Sequence, residues 1–257
     1  MTLQELRTEA WLRANDIDKS DQDRVWPMYE MNSYINRVYF YIARETKCIR
    51  DSITASICRI ASAPPTDLAD LTAKAATDAW YAQDLAYYND PNSWLYGHLV
   101  APNSYPLSDK ILEIEECKWT TRQWRLTKVS CKKWQVNPYW EQVIGMPTEY
   151  CTDLDNGRLT LNFRSDMSDT LRLQVRRLPL TKLVNETDVP EFREHYHELM
   201  LNGILYHMYS KQSVSDMDEG KATKYYQLYM ADVDEVQQQD IILDDRLRPN
   251  QSMDAFR

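Results

Sequence analysis

The chain has 257 residues, of which 43% are hydrophobic and 27% charged, the composition of an ordinary globular protein with ample core. No run of about 18 apolar residues occurs, so we expect no membrane span. Only 5 glycines are present, without GxGxxG or GxxxxGK[ST], which argues against the usual phosphate-binding loops. The 5 cysteines form no CxxC pair, which argues against a zinc ribbon and favours reduced thiols.

The first 50 residues predict two helices. Thr2 and Glu5 have the spacing of a capping box at the start of the first helix. Pro27 suits the first position of the second helix, where its missing N–H costs nothing. The apolar faces predicted for the two helices are Leu3, Leu6 and Ala10, and Met31, Ile35, Val38, Ile42 and Ile49.

The middle of the chain has mostly strand signals. "ITASICRIA" is typical of a strand, and "TDLADLTAKAATDAWYAQDLAYY" predicts an alanine-rich helix near residues 66–88. "KILEIEECKW", "QWRLTKVSCKKWQV" and "TLRLQVRRLPL" alternate or are β-branched, which predicts further strands. Asn156-Gly157 predicts a type I′ hairpin turn within "TEYCTDLDNGRLTLNF".

The last quarter returns to helical patterns. Capping-box spacing at Asp188 with Glu191, and again at Asp216 with Glu219, predicts two helix starts. From residue 241 onward the apolar residues are spaced too irregularly for a helix face, which predicts an extended arm. The expected fold class is α+β, with a helical bundle from residues 1–50 and 186–240, a β-rich insertion at 51–185 and the arm at 241–257.

The stretch "EFREHYHELM" holds the best candidates for catalysis or metal binding. Glu191 and His195 are four residues apart and would share a helical face, but His195 and His197 would lie about 200° apart. The HExxH pattern and the GxSxG elbow are both missing, and His207 suits a satisfied core position. We therefore predict no catalytic residue, no metal and no cofactor. A metal-dependent hydrolase centred on His195 and Glu191 is the weakest alternative.

The net charge of −9 is unevenly distributed. Residues 216–245 hold nine acids and two lysines, whereas residues 117–140 hold six basic residues and no acid, together with four tryptophans. The basic segment fits a strand pair with one charged face and one tryptophan-bearing core face. It also fits a surface that contacts a partner protein or DNA, or a nucleic-acid-binding module. The candidate contact residues are Lys118, Arg122, Arg125, Lys128, Lys132 and Lys133.

Several motifs in their order along the chain resemble phage head-to-tail adaptor (connector) proteins. "LQELRTEAWLRAND" and "WPMYEMNSYINRVYFYIARETKCIRD" resemble their paired N-terminal helices, and "SYPLSDKILEIEEC", "EQVIGMPTEYCTDLDNGRLTLNF" and "LRLQVRRLPLTKL" resemble their β-rich middle. "DVPEFREHYHELMLNGILYHMYSKQ" and "DEGKATKYYQLYMADVDEV" resemble their C-terminal helix pair. Residues from about Ala61 to Leu95 fall outside the resemblance and look like an insertion.

The resemblance implies a structural virion protein that is not an enzyme. Such adaptors form a ring, usually twelve-fold, beneath the portal protein, lengthen the DNA channel and hold tail proteins (nozzle or tail-completion proteins). They sit in the virion neck after assembly in the host cytoplasm, and DNA passes through without sequence-specific binding or any membrane. Gly203 would let a neighbouring helix approach closely, and the acidic C-terminal helix would face either the channel or outer solvent. The portal-binding arm would use Ile241, Ile242, Leu243, Leu247, Met253 and Phe256.

Overall fold

The structure is a computed structural model that describes residues 1–17, 20, 24–61, 68–76, 82, 85–86, 88–91, 103–137, 139–140, 143–165, 169–211 and 219–247. Its fold class is α+β, as predicted, with helices and a curled sheet. The chain divides into two compact units. The helical unit comprises Met1–Arg50 and Arg177–Arg257, and the β unit comprises Asp51–Arg176.

The described residues form six α-helices and ten strands. The helices are α1 (Leu3–Arg13), α2 (Met28–Thr46), α3 (Ala55–Cys58), α4 (Leu68–Ala75), α5 (Met200–Tyr209) and α6 (Glu219–Leu247). The strands are β1 (Arg50–Asp51), β2 (Arg59–Ala61), β3 (Ser104–Pro106), β4 (Ile111–Trp119), β5 (Arg125–Lys128), β6 (Ile144–Gly145), β7 (Glu149–Cys151), β8 (Arg158–Leu161), β9 (Arg164–Ser165) and β10 (Thr170–Arg177). In the described residues, no helix is long and apolar enough to cross a membrane.

The two N-terminal helices begin for the reasons that the sequence indicates. Thr2 accepts a hydrogen bond from the Glu5 N–H while the Glu5 carboxylate accepts one from the Thr2 N–H, so the predicted capping box is confirmed. Pro27 is the N-cap of α2, one residue before the predicted position. The predicted apolar faces of both helices are buried.

The helical unit has one apolar core, to which α1, α2, α5 and α6 all contribute. Gly203 of α5 lies against the ring of Tyr229 of α6, and a Cβ at Gly203 would come within 2.8 Å of Tyr229 Cε2. The predicted close approach of a neighbouring helix is therefore confirmed. Two buried polar side chains are hydrogen-bonded across the core: Trp26 Nε1 donates to the Met208 carbonyl at 2.9 Å, and the Tyr39 hydroxyl accepts from the Glu191 N–H at 2.9 Å.

The predicted helix start at Asp188 and Glu191 is wrong. The Asp188 carboxylate accepts the N–H groups of Val184 and Asn185, which precede it, and the chain forms only a 3-10 turn at Glu194–Tyr196 before α5. Pro190 explains the difference, because a proline disfavours helical geometry in the residue before it. The second predicted box includes Asp216, which lies outside the described residues, and α6 begins at Glu219.

The predicted extended arm is helical in its first part. Helix α6 continues through residues 241–247, so these residues are not extended, and residues 248–257 lie outside the described residues. No glycine or proline interrupts the chain between Lys221 and Leu247. Helix propagation is favourable once a helix has begun, so irregular apolar spacing alone does not end it.

The β unit is built on a curled eight-stranded sheet with the strand order β1-β10-β4-β5-β7-β8-β3, and β2 also pairs with β10. Strands β4 and β5 are antiparallel, whereas β5 and β7 are parallel. A separate parallel pair joins β6 and β9. On β10 the alternate residues Leu171, Leu173 and Val175 are fully buried, as expected for a strand with one core face.

Two local predictions for the β unit are wrong in part. "ITASICRIA" is a strand only at β2, because the Asp51 carboxylate accepts the N–H groups of Ile53 and Thr54 and starts the short helix α3. The predicted hairpin does join β7 and β8, but residues 152–157 connect them and only Gly157 of the Asn-Gly pair has positive φ. This is not a type I′ turn, which needs positive φ at both residues.

Candidate partner-binding surface

The histidine-rich stretch of the helical unit is used for internal bonding. Glu191 pairs with Arg177 at 2.6 Å and accepts the Leu180 N–H, while His195 is exposed. His197 is buried, its Nε2 lies 3.0 Å from the Phe192 carbonyl, and burial lowers its pKa. The structure therefore does not bring Glu191 and His195 together as a site.

The other titratable groups of this region also serve the fold. His207 stacks on Tyr34 with ring centroids 5.9 Å apart, and burial lowers its pKa to about 4. Across the described ranges, no group of three or more His, Cys, Asp or Glu side chains could hold a metal ion. Burial raises the pKa of Cys117, and raises that of Cys151 to about 12, so neither thiol is poised as a nucleophile.

The basic segment of the β unit begins with the turn between β4 and β5. The Trp119 N–H donates to the Trp124 carbonyl and the Gln123 N–H donates to the Trp119 carbonyl, which closes this turn, and Gln123 adopts positive φ within it. Asp169 accepts both the N–H and the hydroxyl of Thr121, which fixes the outer side of the turn. Trp119 is buried, but Trp124 is 58% exposed on this well-bonded support.

The second part of the segment is held by a pair of tryptophans. After β5 a 3-10 turn at Cys131–Lys133 leads to Trp134, whose ring centroid lies 5.3 Å from that of Trp140. Trp134 Nε1 donates to Glu149 at 2.9 Å, and Lys133 pairs with the same carboxylate. The hydrogen bond from Lys133, followed by that from Trp134, lowers the pKa of Glu149.

A third anchor lies at Asp153, on the loop that follows β7. Its carboxylate accepts the hydroxyl of Ser130 at 2.7 Å and the N–H of Cys131 at 3.0 Å. The bond from Ser130 is the largest cause that lowers the pKa of Asp153. Cys131, Cys151 and the two tryptophans form a small buried cluster beneath this loop. The tryptophan-bearing core face predicted from the sequence is therefore present for three of the four tryptophans, Trp119, Trp134 and Trp140.

The six predicted basic residues differ in how they are engaged. Arg125 pairs with Glu116 at 2.7 Å, Lys133 pairs with Glu149, and Arg122 contacts the sulfur of Met146 at 2.9 Å. Lys128 and Lys132 are exposed, Lys118 is half-buried, and none of these three has an ion-pair partner among the described residues. Unpaired cations on a rigid support are available to an external partner.

Exposed apolar side chains accompany these cations, and sequence reasoning missed most of them. Val136 is 87% exposed, and Tyr139 and Ile144 are also largely exposed, although they flank the buried Trp134 and Trp140. Alternation of polar and apolar residues along a strand would have marked such residues, but Val136 and Tyr139 lie in no strand and Ile144 lies in the two-residue strand β6. We call the exposed set the basic surface: Trp124, Lys128, Lys132, Val136, Tyr139 and Ile144.

The predicted arm residues can be located only in part. Ile241, Ile242, Leu243 and Leu247 lie on the last two turns of α6, whereas Met253 and Phe256 lie outside the described residues.

Comparison with known proteins places the chain in a family. Residues 1–252 match the family described as SU10 adaptor protein. No curated protein matches the chain. The match covers nearly the whole sequence, including the segment from Ala61 to Leu95 that the resemblance left out. The chain therefore belongs to the SU10 adaptor protein family, a family of structural phage adaptors found in the virion.

Proposed function

We propose that the protein is a head-to-tail adaptor, which forms a twelve-fold ring beneath the portal protein. There it extends the DNA channel and supplies the platform to which nozzle or tail-completion proteins attach. The observation that carries the proposal is the family match over residues 1–252. Membership of a phage adaptor family implies association with other virion components, which is the role that the proposal makes specific.

The helical unit supports a scaffold role. Some of its titratable side chains are engaged with one another, as Glu30 with Lys211 at 2.7 Å and Arg177 with Glu191 at 2.6 Å. A carboxylate that is held in such a pair is less available to act on a substrate. This arrangement favours a structural protein over the hydrolase centred on His195.

The C-terminal segment is the proposed portal contact. Residues 241–247 extend α6 as a helix, and residues 248–257, which include Pro249, follow it in the sequence. Four apolar residues on the helical part, together with Met253 and Phe256, would bury apolar area against portal subunits. Each fully buried side chain of this kind contributes about 1.5–3 kcal/mol before ordering costs. Many copies in a ring would add their weak contacts through avidity.

Deletion of residues 248–257 tests this contact while leaving α6 intact. We expect the shortened chain to keep its melting temperature and to lose portal decoration, as counted on negative-stain images of portal rings mixed with the adaptor. A matched chain carrying only Met253→Gln and Phe256→Gln should lose most of the decoration. Wild-type occupancy by both variants would refute the portal contact, and the absence of any binding by the unmodified chain would refute the adaptor role.

The nucleic-acid-binding alternative receives less support. Base stacking needs exposed aromatic rings, and burial of Trp119, Trp134 and Trp140 leaves only Trp124 and Tyr139 of this segment exposed among the described residues. Lys118, Lys128 and Lys132 would still attract phosphates, so weak contact with passing DNA remains compatible with the proposal. We propose that such contact is independent of DNA sequence. Filter binding with two unrelated duplexes should give equal affinities that fall together as salt rises.

A further inference from the structure

The basic surface carries charge that the described part of the chain leaves unbalanced. Lys128 follows Thr127 at the end of β5, and Lys132 lies in the 3-10 turn that Asp153 supports. Both ammonium groups are exposed, and both lack an ion pair among the described residues. Trp124 adds a large exposed ring on the rigid β4–β5 turn. An exposed tryptophan and exposed lysines on one segment are a composition that suits a binding hot spot.

An acidic surface of the same chain has the complementary composition. On α6, Leu228, Ala231 and Glu235 are exposed at intervals of three and four residues, so they share one face. Asp234 is exposed beside that face and makes no ion pair with a described residue. Glu235 accepts a hydrogen bond only from the neutral amide of Gln239 among the described residues. We call this set the acidic face: Leu228, Ala231, Asp234 and Glu235.

The acidic face is distinct from the part of α6 that packs in the core. Asp232 is half-buried, and its carboxylate accepts the amide of Asn202 on α5 at 2.8 Å. Val233 and Val236 are buried in the core of the helical unit. Helix α6 is thus already held by α5, and its opposite side remains open to a partner.

We propose that the basic surface of one copy binds the acidic face of a second copy of this chain. Lys128 and Lys132 would pair with Asp234 and Glu235, and the Trp124 ring would cover Leu228 and Ala231. The inference rests on the proposed ring assembly and names its subunit contact. Two different surfaces meet in this contact, so it is heterologous, and repetition by a closing rotation produces a ring.

Charge complementarity favours a second copy over other partners. Lys128 and Lys132 are exposed cations without an ion pair among the described residues, whereas Asp234 and Glu235 are exposed carboxylates that likewise lack one there. Opposite charges of this kind orient the two surfaces and exclude contacts between like surfaces. The charges also make the contact sensitive to salt, while the tryptophan ring supplies the anchor that salt does not weaken.

Two charge-reversal variants test the contact. The first is Lys128→Glu with Lys132→Glu, and the second is Asp234→Lys with Glu235→Lys. Sedimentation velocity at low salt should show self-association of the unmodified chain and loss of it in each variant alone. An equimolar mixture of the two variants should associate again, because each reversed surface then meets a reversed partner. The matched control is the double variant Lys182→Glu with Arg193→Glu. It reverses two exposed basic residues of the helical unit and should associate normally.

Cross-linking identifies which copy supplies each side. Isotope-labelled and unlabelled chains are mixed and treated with carbodiimide. Lys128 or Lys132 should then be joined to Asp234 or Glu235. The cross-linked peptides should contain one labelled and one unlabelled partner. Links found only within one chain would overturn the proposal, as would normal association of either variant. An unmodified chain that stays monomeric but decorates portal rings would overturn this contact and leave the adaptor function standing.

Discussion

The histidine-rich stretch of the helical unit and the basic surface of the β unit use their charged side chains in opposite ways. In the helical unit, "EFREHYHELM" has the most chemically suggestive composition of the chain, yet Glu191 is held by Arg177 and His197 is buried against the Phe192 carbonyl. In the β unit, the less suggestive Lys128 and Lys132 remain exposed without an ion pair among the described residues. The difference teaches that residue type does not mark a site. What marks it is whether the fold has already engaged the group.

Apolar side chains also differ between helix α2 and the basic segment. The helical unit buries the stripes of its amphipathic helices, and Met31, Ile35 and Val38 of α2 are fully buried. The β unit instead buries Trp134 and Trp140 and leaves Val136 and Tyr139 exposed around them. Buried tryptophans fix the backbone that carries the exposed Val136 and Tyr139, and side chains fixed in this way suit a rigid docking surface.

The largest expected effect contrasts one isoleucine from each unit. Ile35→Ala should lower the free energy of unfolding by about 2–5 kcal/mol, because Ile35 is fully buried and the substitution leaves a cavity. Ile53→Ala in the β unit should change it by less than about 0.5 kcal/mol, because Ile53 is 82% exposed. Urea unfolding of both variants measures the contrast. Equal losses would show that the assigned core is wrong.

The next effect concerns an ion pair within the β unit. Arg176 pairs with Glu115 at 2.6 Å, and both side chains are largely buried. Arg176→Met should cost about 2–3 kcal/mol, because the Glu115 carboxylate loses its cation while remaining buried. Arg13→Met, which removes an exposed pair with Glu9, should cost no more than about 0.5 kcal/mol. Thermal unfolding of the two variants in parallel tests whether burial decides the cost, and similar melting temperatures would contradict it.

A smaller effect distinguishes two glycines. Gly203→Ala should destabilise the protein by about 1–2 kcal/mol, because overpacking against the buried Tyr229 ring outweighs the gain in helix propensity. Gly145→Ala in the β unit should be neutral or slightly stabilising, because its new Cβ would lie 3.9 Å from Phe163, an ordinary contact. Denaturant midpoints of both variants provide the measurement. A stabilised Gly203→Ala would show that α5 and α6 are not in close contact.

The sequence predicts what local periodicity and local capping determine. The stripes of α1 and α2 and the box at Thr2 follow from spacing alone, and all are present. The box at Asp188 fails because its carboxylate binds upstream N–H groups and Pro190 disfavours the helix. The hairpin turn after β7 fails because Asp153 is drawn to Ser130 and Cys131, which are distant in sequence.

The candidate surface was predictable as a set of cations but not as a site. The sequence places six basic residues between Cys117 and Trp140, and it cannot say which of them are engaged. Arg125 is engaged by Glu116 across the β4–β5 pair, and Lys133 is engaged by Glu149 from β7, which the β5–β7 pairing brings close. The exposure of Trp124 is likewise set by the β4–β5 turn, which differs from the surroundings of the three buried tryptophans.

A pH-dependent effect sharpens the assignment of His207 to the core. Burial lowers its pKa to about 4 from the ordinary value near 6.5, so the unfolded chain binds the proton more readily. Its contribution to stability is complete above about pH 6.5 and is lost as the pH falls from 6.5 to about 4. His207→Gln should flatten the dependence of the melting temperature on pH across this window. An unchanged pH profile would show that His207 is solvated in the folded state.

The smallest effect on stability is expected at the basic surface. Lys128→Glu with Lys132→Glu should change the free energy of unfolding by less than about 0.5 kcal/mol, because both groups are exposed and unpaired among the described residues. Circular dichroism melting curves check this prediction. A loss of more than about 2 kcal/mol would show that these lysines belong to the fold, and would remove the basis for treating them as free.

The most direct test of the central claim is residue-resolved lysine labelling in the free and assembled protein. The claim is that the helical unit engages Lys211 in an internal ion pair, whereas the β unit keeps Lys128 and Lys132 for a partner. Acetylation followed by mass spectrometry should show both lysines reacting quickly in the free chain and slowly in the assembly. Lys211, held by Glu30, should react slowly in both states and serves as the internal control. Equal labelling of Lys128 and Lys132 before and after assembly would contradict the account.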